Sequence, residues 1–339
     1  MEERDHWAWR YDPPHKTIWS GHHDEPAGQR FHQIIQCVDL RHELPDRSKG
    51  PVYALIGFAC EEGIRRNLGR TGAAQGPEAL RKAIGQLPVH LKGPYQIIDC
   101  GDISCSDTDL EEAQRCLGEV ISLLLQHHVH PIVIGGGHEV AWGHYQGIRM
   151  AHPRMNLGMV NIDAHFDLRP LLPGKLGSGG TTFLQIAQEC KENQRDFDYL
   201  CLGIEPFANS FQSFRQAHDL GVHYVTGEEI YLQGPDVCFH ALDSLLTRRD
   251  AVYLTLCLDV FSSAYAPGVS ATQPLGISPW QAVSLIRRIA SSGKVLSFDV
   301  SELSPPLDKT GLTAQLSASL IATFIHEIHR KVSTLAATH

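Results

Sequence analysis

Residues 157 to 169 read Leu-Gly-Met-Val-Asn-Ile-Asp-Ala-His-Phe-Asp-Leu-Arg, an apolar run that ends abruptly in charged residues. The run Leu157–Ile162 is almost entirely apolar and does not alternate, which is typical of a strand buried on both faces of a parallel sheet. Asp163, His165 and Asp167 follow at every second position, so on an extended backbone their side chains point to one face or to the mouth of the strand. Two carboxylates and an imidazole directed at one point predict a metal site, and these donors suit Mn²⁺ or another first-row divalent cation.

Similar apolar runs recur along the chain, and amphipathic segments separate them. The predicted strands are residues 52–57, 96–99, 131–134, 157–162, 199–203, 222–225, 252–258 and 294–300. The clearest predicted helices are residues 77–84, 109–127, 139–150, 279–290 and 313–330. This alternation predicts a three-layer α/β/α fold around a mostly parallel sheet of about eight strands. In such a sheet the ligand site lies at the carboxyl ends of the strands.

The domain organisation is predicted to be simple, because no internal repeat or low-complexity linker is visible in the sequence. Residues 1–48 are polar, rich in histidine and contain proline, so we predict that they form an arm or lid. Residues 49–339 are predicted to form a single catalytic domain.

Composition narrows the class of protein. The chain has 339 residues, of which 42% are hydrophobic and 20% are charged, as in globular proteins that bury a large core. A formal net charge of −9 disfavours nucleic acid or an anionic membrane as a partner. No secretory signal is visible, and no apolar run approaches the ~18 residues that a membrane span needs. The nine cysteines are scattered and form no C-x-x-C pair, which predicts reduced thiols in a cytoplasmic protein.

Four polar segments follow predicted strands, and parallel strands would bring them to one edge of the sheet. They are IGGGHE at 134–139, DAHFD at 163–167, LCLDVF at 256–261 and FDVSE at 298–302. The glycines of the first segment permit close backbone approach and place His138 at the start of a helix. Each segment alone has a simpler interpretation as a turn, a helix cap or a charge at the rim. Their joint placement favours an active site.

The same segments resemble a known family. GGGHE at 135–139, NIDAHFDLR at 161–169, the block from LDVF to APGVSA at 258–271 and FDVSE at 298–302 are similar to motifs of the arginase/ureohydrolase superfamily. Residues 57–84 further resemble the branch that hydrolyses N-formimidoyl-L-glutamate, the last reaction of one histidine-degradation route. The resemblance implies an arginase-like three-layer domain, two Mn²⁺ ions per subunit at the strand ends, and a homo-oligomer.

The resemblance also implies which residues hold the metals. One ion would be bound by His138 and Asp167, the other by His165 and Asp259, with Asp163 bridging the two. Arg169 directly follows the metal run, and we predict that it orients a ligating carboxylate from outside the metal shell.

Cys257 departs from the pattern of the superfamily, which usually has an aspartate at this position. A thiolate is a soft ligand, whereas Mn²⁺ prefers hard oxygen. Three interpretations are open: a bystander thiol beside a weakened second metal, a ligand of a softer ion such as Zn²⁺ or Fe²⁺, or a damaged site. We favour the bystander, because the other candidate ligands remain and buried cysteines are often only packed.

The implied reaction is hydrolysis of the amidine group of N-formimidoyl-L-glutamate to L-glutamate and formamide by a hydroxide that bridges the metals. Asp167 would direct the hydroxide, and Glu302 would hold or protonate the nitrogen. This small substrate carries two carboxylates, so a cationic group must face it. For substrate contact we predict Asn67, Arg70 and Asn209.

Two other functions are open from the sequence. The first is a guanidino hydrolase of the same superfamily that releases urea from agmatine, guanidinobutyrate or a related compound. The arginines near residues 65–70 argue against cationic agmatine. The second is a binding protein without catalysis that has lost one metal, which Cys257 alone supports.

Overall fold

The computed structural model describes residues 3–22 and 27–336, and the described residues form one large sheet. Its strands are β1 (Tyr11–Asp12), β2 (Gln36–Cys37), β3 (Val52–Ala59), β4 (Gln96–Ser104), β5 (His130–Ile134), β6 (Leu157–Ile162), β7 (Tyr199–Ile204), β8 (His223–Thr226), β9 (Ala251–Cys257) and β10 (Val295–Ser301). Their order is β1-β4-β3-β5-β10-β9-β6-β7-β8, and β2 also pairs with β4. Only β1 is antiparallel to its neighbour among the described strands. The eight predicted strands are confirmed, and two short ones join them.

Helices cover both faces of the sheet. They are α1 (Phe31–Ile34), α2 (Glu62–Arg66), α3 (Gly76–Gly85), α4 (Leu110–Gln126), α5 (Val140–Ala151), α6 (Thr182–Glu192), α7 (Phe211–Asp219), α8 (Gly227–Gln233), α9 (Phe239–Arg248), α10 (Pro279–Ala290) and α11 (Leu312–Ala336). Helices α4 to α7 pack in one hydrophobic cluster and α3 and α8 to α11 in the other. The three-layer α/β/α architecture is therefore confirmed.

The strands supply both clusters because their side chains alternate between the faces. In β3, Tyr53 and Leu55 join the cluster of α3 and α11, while Ala54 and Ile56 join the cluster of α4 and α5. All four side chains are fully buried. Burial of both faces explains why the strand sequences are apolar without alternation.

The N-terminal segment lies against the far edge of the sheet from β8. Strands β1 and β2 both pair with β4, and the indole nitrogen of Trp19 donates a 2.8 Å hydrogen bond to Asp99. Arg81 of α3 forms an ion pair with the same buried carboxylate. Residues 1–2 and 23–26 of the proposed arm, like the C-terminal residues 337–339, lie outside the described residues. The division into an arm and a catalytic domain stays a prediction.

Within the described ranges, none of the helices combines the length and hydropathy that a membrane crossing requires. All nine cysteines are free thiols, and most of them are buried.

Candidate metal centre

The four polar segments meet at the carboxyl ends of four consecutive strands, β5, β10, β9 and β6. His138 follows β5, Asp163 follows β6, Asp259 follows β9 and Glu302 follows β10. The parallel order of these strands places all their carboxyl ends at one edge, so residues distant in sequence become neighbours.

Two glycines set the position of His138. Gly135 and Gly136 have φ angles of 84° and 77°, in a region that other residues rarely adopt. A Cβ atom on Gly135 would lie 2.4 Å from Cδ of Pro77, and one on Gly136 would lie 2.7 Å from the carbonyl oxygen of Phe58. The turn therefore requires glycine, and it brings His138 back over the end of the sheet.

Asp163 lies between the two histidines. Its Oδ2 atom is 3.0 Å from Nδ1 of His138, and its Oδ1 atom is 3.5 Å from Nδ1 of His165. Asp167 Oδ2 approaches the same His138 nitrogen at 2.8 Å, and Asp259 Oδ2 approaches the same His165 nitrogen at 3.1 Å. The five residues that the family resemblance implies as metal ligands therefore converge on one small volume.

The potential ligand atoms fall into two groups that share Asp163. One group is His138, Asp163 and Cys257, and the other is Asp163, His165 and Asp259; in each, the ligand atoms all lie within 4.8 Å of one another. Asp259 Oδ1 is buried and has no hydrogen-bond partner in the described part of the chain. An orphaned carboxylate oxygen beside a shared carboxylate fits a pair of divalent cations, which such oxygens can coordinate.

The acidity of the site follows from its burial. Burial opposes a positive charge on His138, but the hydrogen bonds and negative charges of Asp163 and Asp167 outweigh it and raise the His138 pKa well above its usual value. Burial likewise opposes ionisation of Asp163, but hydrogen bonds from both histidines lower its pKa. Burial, followed by the nearby Asp163 charge, raises the pKa of Asp167. Without added positive charge, these carboxylates favour the protonated form of the His138 imidazole.

Glu302 contacts the turn that holds His138. Its Oε1 atom accepts a 2.8 Å hydrogen bond from the backbone nitrogen of His138. Burial, followed by the negative charges of Asp259 and Glu139, raises the pKa of Glu302 well above its usual value. Burial also raises the pKa of Glu139 to about 7. The structure thus places a carboxyl group of raised pKa beside the candidate ligands.

Polar residues inside the strands support the ligands, and the sequence analysis assigned no role to Asn161 or Thr255. Asn161 donates a 3.0 Å hydrogen bond to Asp163, and Thr255 Oγ1 lies 3.0 Å from Nε2 of His138. Asp299 lies beneath this layer, where it is fully buried and pairs with His144 at 2.6 Å. Asn161 and Thr255 interrupt otherwise apolar strand runs, and this interruption is the signal that could have identified them.

A cleft of about 580 Å³ opens above the candidate metal ligands. Asn67 borders it, and its Oδ1 atom accepts a 2.9 Å hydrogen bond from Ser178. Arg169 also borders the cleft, and its guanidinium group has no hydrogen-bond or ion-pair partner within the described residues. No described carboxylate contacts that group, so the structure does not support the prediction that Arg169 orients one.

The other two predicted substrate contacts have different surroundings. Arg70 donates hydrogen bonds of 2.8 and 2.9 Å to the carbonyls of Val269 and Ser270, and it is not among the residues that line the cleft. Asn209 uses its amide to bond the backbone of Ala164, at 2.7 Å, and so braces the loop that carries His165. Arg70 and Asn209 thus both bond loop backbone, and Asn209 also lines an adjoining pocket together with His165, Asp167 and Arg169. Their contact with a substrate stays a prediction. Among the described residues, Arg169 is the one arginine or lysine that lines the cleft.

The fold and the candidate metal centre together indicate the family of the protein. A family model described as "Arginase family" matches residues 52–326 of the chain. The chain belongs to the arginase family.

Individual relatives of the chain carry a more specific name than the family model does. The formimidoylglutamase of Legionella pneumophila (strain Lens) is 41% identical over 315 residues, which cover 93% of this chain and 97% of the relative. Among solved structures, the formimidoylglutamase of Bacillus subtilis subsp. subtilis str. 168 has a TM-score of 0.79 at 20% identity and covers 91% of this chain and 94% of its own. The Trypanosoma cruzi formiminoglutamase with Mn²⁺ has a TM-score of 0.73 at 23% identity and covers 94% and 99%. These two structures confirm the fold.

Proposed function

We propose that the protein hydrolyses N-formimidoyl-L-glutamate to L-glutamate and formamide, with divalent cations, foremost Mn²⁺, held by the residues around Asp163. The observation that carries the proposal is the pair of candidate ligand groups that share Asp163 below the cleft. Two comparisons support it: the 41% identical relative is a formimidoylglutamase, and the similar Trypanosoma cruzi structure contains Mn²⁺.

The residues present can hold two cations. His138, Asp163 and Asp167 would hold one, and Asp163, His165 and Asp259 the other. When bound, such ions lower the pKa of water toward neutrality and so supply hydroxide as the nucleophile. The histidines must release their protons to become ligands, because only neutral imidazole can coordinate.

The reaction also needs a proton at the leaving nitrogen. When water adds to the amidine carbon and the C–N bond to glutamate breaks, that nitrogen takes up a proton. Glu302 is suited to supply it, because burial and the surrounding carboxylates raise its pKa. Asp167 lies 2.8 Å from His138 and would accept a hydrogen bond from the attacking water. Catalysis would therefore divide between two carboxyl groups, one that donates a proton and one that accepts a hydrogen bond.

The cleft has one cationic group suited to a substrate carboxylate. The Arg169 guanidinium lies at the rim and has no partner among the residues that the structure describes. Its aliphatic stem passes close to Gly180, where a Cβ atom would lie 3.0 Å from Arg169 Cδ. Asn67 lies beside it, with its side-chain nitrogen 3.1 Å from the same Cβ position. A guanidinium and an amide donor at one rim suit a glutamate carboxylate better than a cationic amine such as agmatine.

Replacing Arg169 with alanine should raise KM for formimidoylglutamate about ten- to a hundredfold, because a charge-assisted hydrogen bond contributes about 1.5–3 kcal/mol. Steady-state kinetics would measure the effect, and kcat should change much less. Arg65→Ala is the matched control, since Arg65 is exposed and pairs only with Glu62. An unchanged KM in Arg169→Ala would remove this residue from substrate binding.

The substrate itself can be tested directly. Purified protein loaded with Mn²⁺ would be incubated in parallel with formimidoylglutamate, agmatine, guanidinobutyrate and arginine, and both formamide and urea would be measured. Formamide from the first compound alone is the expected result. Urea from a guanidino compound would favour the other hydrolase, and bound ligand without any turnover would favour a binding protein.

We also propose a homo-oligomer in the cytoplasm, acting on a small molecule. Phe207, Tyr231 and Leu275 are 95%, 79% and 73% exposed around one groove, and a partner subunit would cover them. Free thiols support a reducing compartment, and the net charge of −9 argues against nucleic acid. Light scattering after size-exclusion chromatography tests the oligomer, and the mass of a single chain would contradict it.

A further inference from the structure

Cys257 occupies the end of β9, directly below the cleft. Its side chain is only 2% exposed, and the residue borders the cleft beside His138 and Asp259. The Cys257 Sγ atom lies within 4.8 Å of the ligand atoms of His138 and Asp163. A bystander thiol would instead point into the hydrophobic clusters, as the fully buried Cys100 does in β4.

The two ligand groups differ in chemical hardness. The group of His165 and Asp259 contains only oxygen and nitrogen donors around Asp163, whereas the group of His138 also contains sulfur. Thiolate favours soft or borderline cations such as Zn²⁺, Co²⁺ and Fe²⁺, and it does little for Mn²⁺. The same carboxylate therefore belongs to one hard site and one softer site.

We propose that Cys257 is a thiolate ligand of the cation held by His138 and Asp163. As a result, the two positions of the centre would prefer two different metals. The softer position would take Zn²⁺, Co²⁺ or Fe²⁺ more readily than Mn²⁺, while the group of His165 would retain Mn²⁺. Binding breaks the S–H bond, the sulfur electron pair forms the bond to the cation, and one proton passes to solvent. The inference rests on the metal centre of the proposed function but not on its substrate.

Cobalt gives a readout that does not depend on turnover. Metal-free protein would be titrated with Co²⁺, followed by absorption in the near ultraviolet, where thiolate-to-cobalt charge transfer appears, and bound metal would be counted by mass spectrometry. The band is expected in the original protein and in Cys100→Ser, a matched buried strand cysteine away from the cleft. It should be absent in Cys257→Ser.

Cys257→Asp provides a second measurement, which tests the inference even if the serine variant does not fold. It replaces the thiol with an oxygen donor, so its affinity for Mn²⁺ should rise about tenfold or more, since even mutation of residues that only support the ligands typically changes metal affinity by about 10- to 100-fold. Electron paramagnetic resonance of free Mn²⁺ would measure it. The inference is overturned if Cys257→Ser keeps the charge-transfer band, or if bound Co²⁺ in the original protein gives none. Failure of any cation to bind would instead overturn the metal centre as a whole.

Discussion

Asp163→Ala should yield a folded protein that retains neither cation and releases no formamide above background. Asp163 is the one residue common to both candidate ligand groups, so its loss weakens both positions together. We expect kcat/KM to fall by at least about four orders of magnitude, because the source of the hydroxide is lost. Metal content would be measured by mass spectrometry and folding by circular dichroism and thermal unfolding.

Asp219→Ala is the matched control, because Asp219 is an exposed aspartate whose side-chain contact is to the exposed His218. It should leave metal content and rate unchanged. His138→Ala should also abolish formamide release, although it removes a ligand of only one group. If Asp163→Ala kept two cations per chain, or kept its activity, the assignment of the metal centre would be wrong.

Glu302→Gln should lower kcat about 10²- to 10⁴-fold, the usual contribution of general acid–base catalysis, and change KM and metal content little. Glutamine keeps the oxygen that accepts the 2.8 Å hydrogen bond from His138, so the turn is retained while the exchangeable proton is lost. Steady-state kinetics across pH would measure the effect. Because the raised pKa keeps Glu302 protonated, the original rate should fall at alkaline pH as the proton leaves, and the variant should lack this decline.

Glu192→Gln, at an exposed position of α6, is the control for the loss of a carboxylate. An unchanged kcat and pH profile in Glu302→Gln would limit Glu302 to holding the His138 turn. A joint loss of activity and metal would show instead that the charge of Glu302 helps to retain the cations.

The fold could be predicted from the sequence largely because both faces of the sheet are buried. The longer strands leave apolar runs, whereas the edge strand β8 is short and half exposed. The bounds predicted for α10 agree with those in the structure, since Ser278 and Pro279 mark its start. The end of β4 was missed, because Gly101 and Asp102 interrupt its apolar run. Strands β1 and β2 could not be predicted, because two-residue strands have no periodicity and depend on the exposed edge of β4.

The convergence of the candidate metal ligands could be predicted because parallel strands bring their ends together. The surroundings of the candidate substrate contacts could not, because they depend on loops whose positions the sequence does not encode locally. Arg70 bonds the carbonyls of Val269 and Ser270, which are far away along the chain, whereas Arg169 borders the cleft and contacts no side chain or carbonyl of the described ranges through its guanidinium. The bystander interpretation of Cys257 rests on its residue type and on the other candidate ligands, whereas the approach of its sulfur to His138 and Asp163 becomes visible only in three dimensions.

Two of the carboxylates at the centre adopt backbone conformations that suit glycine better. Asp167 has a φ of 49° and Glu302 a φ of 73°, each at a cost of about 1–3 kcal/mol for a residue with a side chain. The rest of the fold must supply that energy before any substrate arrives. Glycine at either position would relieve the backbone strain but would remove a carboxyl group that the reaction needs. Selection for thermal stability alone would therefore favour substitutions at these two residues that abolish activity.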